Sequence, residues 1–495
     1  MKHTNLRILL LAALLTASLS VIACGGSEVS TPAETTGADI SDETDASTET
    51  QSPYKLTLPD DLDFGGTDVY IYGWQTYESI EFYAESENGD IVNDSVFRRN
   101  QSVEENLNVH LTFSEEGGRS GSEWGQKVSN ANKAGDDTYD IVAGHTHRIG
   151  ELSRSGDLLN LLDYEYLDLE QPWWRSELIE RALIRDKLFF VTGDISPSSV
   201  GRSQGIFFNT EILHNFDLED PYQLVIDGTW THAKMMEMSK GVYIDLNSDG
   251  KKDEENDQFG FALDWTQTQA IGLTSGIITI ETDSDGYPTL SPNIVTERST
   301  TIIDNWIDFI HHSPDTFLVK QTDDTTIFRN GRALFYSFLL GSFSTDFRDC
   351  TFNIGFVPWP KADEDQEDYI TTLSNACSLW TIPIAATDPE MSSAVMENLG
   401  YEGFRQIMPA VFETAYKIKY NHTESQLQSQ VFDILRTNLT FDIGRIMAEA
   451  TGDVFFLFPD CITGGKNNLA SKFETTKKRA NKMIEKWIDQ IDSMD

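Results

Sequence analysis

The chain has 495 residues, 39% of them hydrophobic and 11% aromatic, which is more than one ordinary core accommodates and suits two or three domains. Its formal net charge is −43, from 80 Asp and Glu against 37 Lys and Arg. A surface of that sign repels phosphates, so a nucleic-acid partner is excluded in this reading.

Lys2 and Arg7 flank the start of an uncharged apolar run from Ile8 to Ile22. That run is shorter than the roughly 20 apolar residues a spanning helix needs and ends in small residues, so residues 1–23 read as a secretory signal peptide. Val21-Ile22-Ala23-Cys24 resembles the bacterial lipobox, whose cysteine is diacylated and becomes the mature N-terminus. The resemblance implies lipidation at Cys24 and a mature protein held on the extracellular face of the cell membrane. Residues 24–60 begin as a run of Ser, Thr, Asp, Glu, Gly and Ala that cannot offset its ordering entropy by burial, and read as a lipid-anchored flexible tether. Of the cysteines, Cys350, Cys377 and Cys461 remain, without a CxxC or zinc spacing; one disulfide plus a free thiol, or three free thiols, both fit.

Thr67 to Tyr72 predicts the first strand, with Gly73-Trp74 at its exit. Arg98 to Leu107 reads as a helix, Val109 to Phe113 as a strand, and Tyr139 to Gly144 as a short buried strand that leads into another helix. Such alternation implies βαβ units and a mostly parallel sheet. His145, His147 and Arg148 come at the exit of the third strand, where open α/β sheets gather ligands. No third metal ligand accompanies the two histidines, so they read as polar cleft lining or caps. Gly205-Ile206-Phe207-Phe208 is a further buried strand ending on the cap Asn209-Thr210, and Thr229-Trp230-Thr231 opens another helix after the Asp227-Gly228 turn. Gly201-Arg202-Ser203-Gln204-Gly205 fits G-x-S-x-G, but a nucleophile elbow needs a strand before its Ser and a helix after it, and here a loop precedes and a strand follows.

Asp245, Asn247 and Asp249 occupy positions one, three and five of an EF-hand-like calcium loop, Gly250 takes the turn at six and Asp253 stands at nine. Asn256 replaces the bidentate Glu at twelve and Asp257 follows it, so the loop either holds a structural calcium weakly or is a bare acidic turn. Strand-like Gly241 to Ile244 and Phe259 to Trp265 flank it. Asp283 to Gly286 reads as a hairpin turn, and Thr300 to His311 as a helix with Trp306 on its core face. Tyr401 to Tyr420 and Glu424 to Leu435 read as paired amphipathic helices. The last helix, Ser471 to Ile491, places Phe473, Ala480, Ile484 and Trp487 on one face and reads as a clasp on a lobe.

The order of these pieces resembles the extracellular solute-binding proteins of ABC importers, family 1, with the maltose-binding group the nearest branch. The likeness rests on the GIFF-Asn209-Thr210 strand and cap, the Thr229-Trp230 helix start, YDIVAG from Tyr139, and Asn330 to Ser344. It extends through Ile354-Gly355-Phe356-Val357-Pro358-Trp359-Pro360-Lys361 and Ser378-Leu379-Trp380-Thr381-Ile382-Pro383. It implies an α/β fold of periplasmic-binding-protein type II, two lobes of discontinuous segments joined by hinge strands. The segments expected are 61–203 with 337–376 for lobe one and 204–336 with 377–495 for lobe two. It also implies no catalysis, no required cofactor beyond an optional structural calcium, a small-molecule solute as ligand, importer permease subunits as partners, and a monomer.

A carbohydrate, above all an oligosaccharide, is the expected ligand, because the apolar face of a pyranose stacks on an aromatic ring while its hydroxyls meet planar polar groups. Trp74, His145, Trp265 and Trp380, at strand exits or in the last hinge, are the candidate ligand-binding residues. Peptides or other small solutes, and a secreted lipid-anchored carbohydrate-active hydrolase, are the alternatives.

Overall fold

Three strands open the folded part of the chain: β1 (Thr67–Trp74), β2 (Val109–Glu116) and β3 (Ile141–His145). In the computed structural model, which describes residues 54–76, 80–118, 123–411 and 425–494, these are followed by β4 (Gln204–Asn209), β5 (Ile244–Asp245) and β6 (Asp257–Asp264). A hairpin of β7 (Ile280–Thr282) and β8 (Pro288–Leu290) precedes β9 (Thr316–Val319), β10 (Ala333–Leu339) and β11 (Ile354–Pro358). Last come β12 (Thr371–Thr372), β13 (Ser378–Thr381) and β14 (Leu439–Thr440).

Two main sheets result, one with strand order β13-β3-β1-β2 and one with β11-β4-β10-β6-β5, to which β9 adds on β6. Each contains three parallel strands, β2-β1-β3 and β9-β6-β10, followed by an antiparallel one, β13 or β4. Each antiparallel strand is the one the chain forms on arriving from the other lobe. The two arrivals lie side by side, since Leu373 bridges Ser203 and the Ser374 N–H donates to the Arg202 carbonyl at 2.9 Å. Two hinge-linked α/β lobes follow from this exchange.

Two segment assignments differ from expectation. The stretch 337–376 was expected in lobe one, yet β10 runs on to Leu339 and β11 pairs along β4 from Asn209↔Ile354 to Gly205↔Pro358, both inside the second sheet. Gly355 permits that pairing, because a Cβ there would stand 1.9 Å from the Phe208 ring. Residues 377–399, expected in lobe two, return instead to the first: β13 pairs with β3, and Leu379, Trp380, Ala394, Val395 and Leu399 pack in the first core.

Local causes set the element ends. The helix expected from Arg98 begins at Ile91, because the Asp90 carboxylate accepts from the Val92 and Asn93 N–H groups at 3.1 and 2.9 Å. The strand expected over Gly241 to Ile244 shrinks to Ile244–Asp245, since Gly241 turns the chain at φ 79. The final helix, Leu469–Asp492, sends Phe473 and Ala480 into the second core and Ile484, Trp487 and Ile491 into the first, so it clasps both lobes. Of the two amphipathic helices expected before it, Ser425–Thr437 is present, while residues 412–424 and the signal, lipobox and first part of the tether lie outside the described residues. Among the described residues no helix is long and apolar enough to cross a membrane. Among the described residues Cys350, Cys377 and Cys461 form no disulfide with one another.

Candidate functional site

Parallel strands deliver their C-terminal ends to one edge of a sheet, and in open α/β folds that edge is where ligands collect. Here the exits of β3, β6, β9 and β10 all open on one cavity of about 680 Å³, through His145, Trp265 to Gln267, Thr322 with Asp323, and Leu339. The antiparallel strands run the other way and so present their beginnings to the same space, Gln204 at the start of β4 and Ser374 to Ala376 before β13. Both lobes and both crossings therefore line it. The volume lies within the roughly 300–1,000 Å³ usual for small-molecule sites.

A smaller cavity of about 320 Å³ lies on other faces of the crossings, lined by Ile80, Glu81, Ser198, Leu340, Phe343 and Arg348 among others. None of its lining side chains leaves a buried polar atom without a partner. In the larger cavity Gln204 Oε1 and Arg445 Nε are buried and unpartnered. A buried polar atom left unpaired costs about 1–3 kcal/mol; a cavity of about 760 Å³ beside Leu158 and Lys187 also holds one, Gln490 Oε1, but the cavity at the strand exits holds two and lies between both crossings.

Of the four expected ligand contacts, the structure brings His145 and Trp265 to the cavity and keeps Trp74 and Trp380 away from it. Trp265 is 40% exposed. Asp264, buried at the end of β6, accepts from the Thr266 N–H and caps the short turn Trp265–Gln267, which swings the indole out of the sheet; its Nε1 then donates to Thr322 Oγ1 at 3.0 Å. Trp74 also ends a strand, but its ring turns inward, donates to Ser378 Oγ at 3.0 Å and stands edge-on to His145 at 5.1 Å. It is 0% exposed and braces the histidine from below. Trp380 donates to Ser196 Oγ at 2.7 Å and packs against Phe82, filling the core where the hinge strand re-enters the first sheet. Strand ends and hinges are also core positions, and burial won at both.

His145 Nδ1 caps the helix Thr146–Ser155 by accepting from the His147 N–H at 3.3 Å, and the two imidazoles stack with centroids 5.4 Å apart. His147 meets the Asn375 amide at 2.9 Å. Burial first, then the Arg445 and Arg148 cations, push its imidazole down to about 4, so it is neutral at pH 7. Arg148 itself pairs with Glu151.

Arg445 escaped the sequence reading, as did Gln204, Gln267 and Asp323. A lone Arg in Ile443-Gly444-Arg445-Ile446-Met447 was the available signal, since a cation flanked by apolar residues has to find partners in the interior. Its Nη1 donates to the Leu373 carbonyl at 2.9 Å and its Nη2 to Gln269 Oε1 at 2.8 Å, and the guanidinium lies over Phe455. Across the cavity floor, Asp346 accepts from the Ser342, Thr345 and Thr325 hydroxyls. Ser203, of the G-x-S-x-G match, is buried between the helix Ser198–Gly201 and β4, the reverse of an elbow.

In the acidic loop, Asp245 and Asp257 face each other across β5 and β6. Each keeps its Oδ1 buried with no partner, a pair of orphaned oxygens that fits a cation. The other expected ligands also hold the loop's own turns: Asn247 Oδ1 accepts from the Asp249 N–H, Asp249 Oδ1 from the Lys251 N–H, and Asp253 Oδ1 from the Asn256 N–H. Among the described residues no group of three or more His, Cys, Asp or Glu side chains converges as a metal site.

No family model matches the chain, and no curated protein matches it. Solved structures do. The sugar-binding protein MalE from Xanthomonas citri superposes with a TM-score of 0.57 at 13% identity, covering 86% of this chain and 99% of that one. The cyclic alpha-maltosyl-1,6-maltose binding protein from Arthrobacter globiformis gives 0.55 at 12% identity, over 85% and 99%. UgpB from Mycobacterium tuberculosis, in complex with glycerophosphocholine, gives 0.54 at 13%, over 86% and 99%. With the exchanged antiparallel strands, this likeness establishes the periplasmic-binding-protein type II fold.

Proposed function

We propose that this chain is a solute-binding protein that captures a carbohydrate, an oligosaccharide above all, between its lobes and hands it unchanged to an ABC importer. The observation that carries the reading is the cavity at the strand exits of both sheets, which combines the exposed Trp265 face with the unpartnered Gln204 Oε1. An indole face suits the apolar side of a pyranose, and an amide oxygen without a donor suits a hydroxyl. Likeness in fold to proteins that bind sugars adds support. Lipidation at Cys24 would hold the binder at the extracellular face of the membrane, next to its permease.

A thermal-shift screen of sugars and peptides tests this. A ligand at 100 times its Kd stabilises by about 2.7 kcal/mol, so a true ligand raises Tm by several degrees. Peptide shifts without sugar shifts would overturn the carbohydrate assignment, and turnover of a sugar panel would favour a hydrolase. Calcium would be structural, with Asp245 and Asp257 among the residues that would hold it, and adding millimolar calcium to chelated protein should raise Tm without changing solute affinity.

A further inference from the structure

Arg445 is a cation buried in a protein of net charge −43, 6% exposed, that no carboxylate contacts among the described residues. A guanidinium has five N–H donors, and two of them are engaged, both by neutral oxygens, Leu373 O and Gln269 Oε1. Cys377 is a thiol whose burial pushes it up to about 12, so it carries no charge at neutral pH. The Asp442 carboxylate attracts it through space but forms no ion pair with it, its oxygens being held by the Thr279 N–H and hydroxyl, both at 2.8 Å, and by the Gly444 N–H at 2.7 Å. His147 beside it is neutral. Burying a charge is costly unless its donors are met; Arg99 is buried on neutral oxygens too, but its Nε, Nη1 and Nη2 are all engaged, whereas Arg445 keeps its Nε without a partner.

Arg202, Asp323 and Asp346 are the other charged side chains that line the cavity. Asp323 adjoins Thr322, which holds the Trp265 indole, while Arg445 stands by Leu373 and Gln269 with His147 and Asn375 near it. We infer that the captured solute is a sugar bearing an oxyanion, a carboxylate or a phosphate ester, which Arg445 binds while the uncharged ring lies toward Trp265. This rests on the carbohydrate reading above and narrows it to acidic sugars. Planar guanidinium matches either oxyanion bidentately, and a hydrogen bond to a charged group contributes more than one to a neutral hydroxyl.

Isothermal titration of the whole chain with three matched series decides the matter: neutral disaccharides, the same sugars oxidised to the uronate at C6, and the same sugars phosphorylated at C6. One acidic series should bind at least about tenfold more tightly than its neutral counterpart, and which one does so identifies the oxyanion. Arg445→Gln should abolish that preference, while Arg445→Lys keeps part of it. Equal or tighter binding of the neutral sugars overturns the inference and leaves the carbohydrate reading standing. Absence of binding by all three series overturns both. The wild-type comparison needs no variant, so it holds even if Arg445→Gln fails to fold.

Discussion

Glu397 and Arg445 are both ionisable side chains drawn out of water, and they differ in how completely the protein answers them. Glu397, 0% exposed on the helix Pro389–Glu402, accepts from the indoles of Trp173 and Trp174 at 3.1 and 2.8 Å, from the Asp168 N–H at 3.2 Å and from the Thr57 hydroxyl at 3.4 Å. Burial pushes its carboxyl up to about 8, a shift of the size found in catalytic acids. Yet its partners, two indoles, an amide and a hydroxyl, are all supplied by the fold, so it clamps the Trp173-Trp174 pair. Arg445 has a partner deficit and a cavity wall. Burial alone marks a structural post as readily as a binding site; unmet hydrogen-bonding capacity at an opening separates them.

If that distinction holds, Glu397→Ala is the more damaging change. It strands two indole N–H groups and an amide, each worth about 1–3 kcal/mol, so unfolding in urea should show a loss of about 4 kcal/mol or more, with solute affinity in the surviving fold unaltered. A loss below about 1 kcal/mol would place Glu397 outside the clamp. The tryptophans repeat the contrast: Trp74→Ala should cost about 3–5 kcal/mol by emptying a core position, whereas Trp265→Ala should leave stability within about 1 kcal/mol and weaken solute binding.

Acid should expose the histidine next to Arg445. The folded state holds His147 near 4 and the unfolded chain near 6.5, so below pH 6.5 the unfolded chain takes up a proton that the folded one refuses. Stability is then lost as pH falls from about 6.5 toward 4, by about 2 kcal/mol at pH 5 from this residue alone. His232, pushed down to about 3 by burial, acts in the same direction. Denaturation at pH 7 and pH 5 should show a smaller difference in His147→Gln than in wild type. The smallest effect is expected of Arg445→Met, which removes an incompletely paired charge and should change the unliganded stability by no more than about 1 kcal/mol, in either direction. A loss of several kcal/mol would make Arg445 a post like Glu397.

Hydrophobic pattern was enough to place most of the strands. TDVYIY, YDIVAG and GIFF are local runs whose burial depends on their own residues, and each became a strand of a parallel-rich sheet near its expected place. The hinge order was legible for the same reason, since the apolar segments at Ile206 to Phe208 and Leu379 to Thr381 have to be buried wherever the chain crosses. Which sheet receives Ile354–Pro358 or Ser378–Thr381 is a choice between distant partners, and it rests on fits such as the Phe208 ring over Gly355, separated by well over a hundred residues.

The site divides in the same way. His145 and Trp265 could be named from the chain because a strand exit is a local feature and it points at the ligand edge by topology. That Trp265 turns out while Trp74 and Trp380 turn in was decided by the Asp264 cap on one side and by Ser378 and Ser196 on the other, contacts that exist only after folding. Arg445 reaches the cavity from 300 residues beyond His145, and its unpaired nitrogen is a property of the packed interior around it. Sequence determines which groups must leave water; the tertiary structure decides which of them find partners there, and the ones left wanting are where a solute can bind.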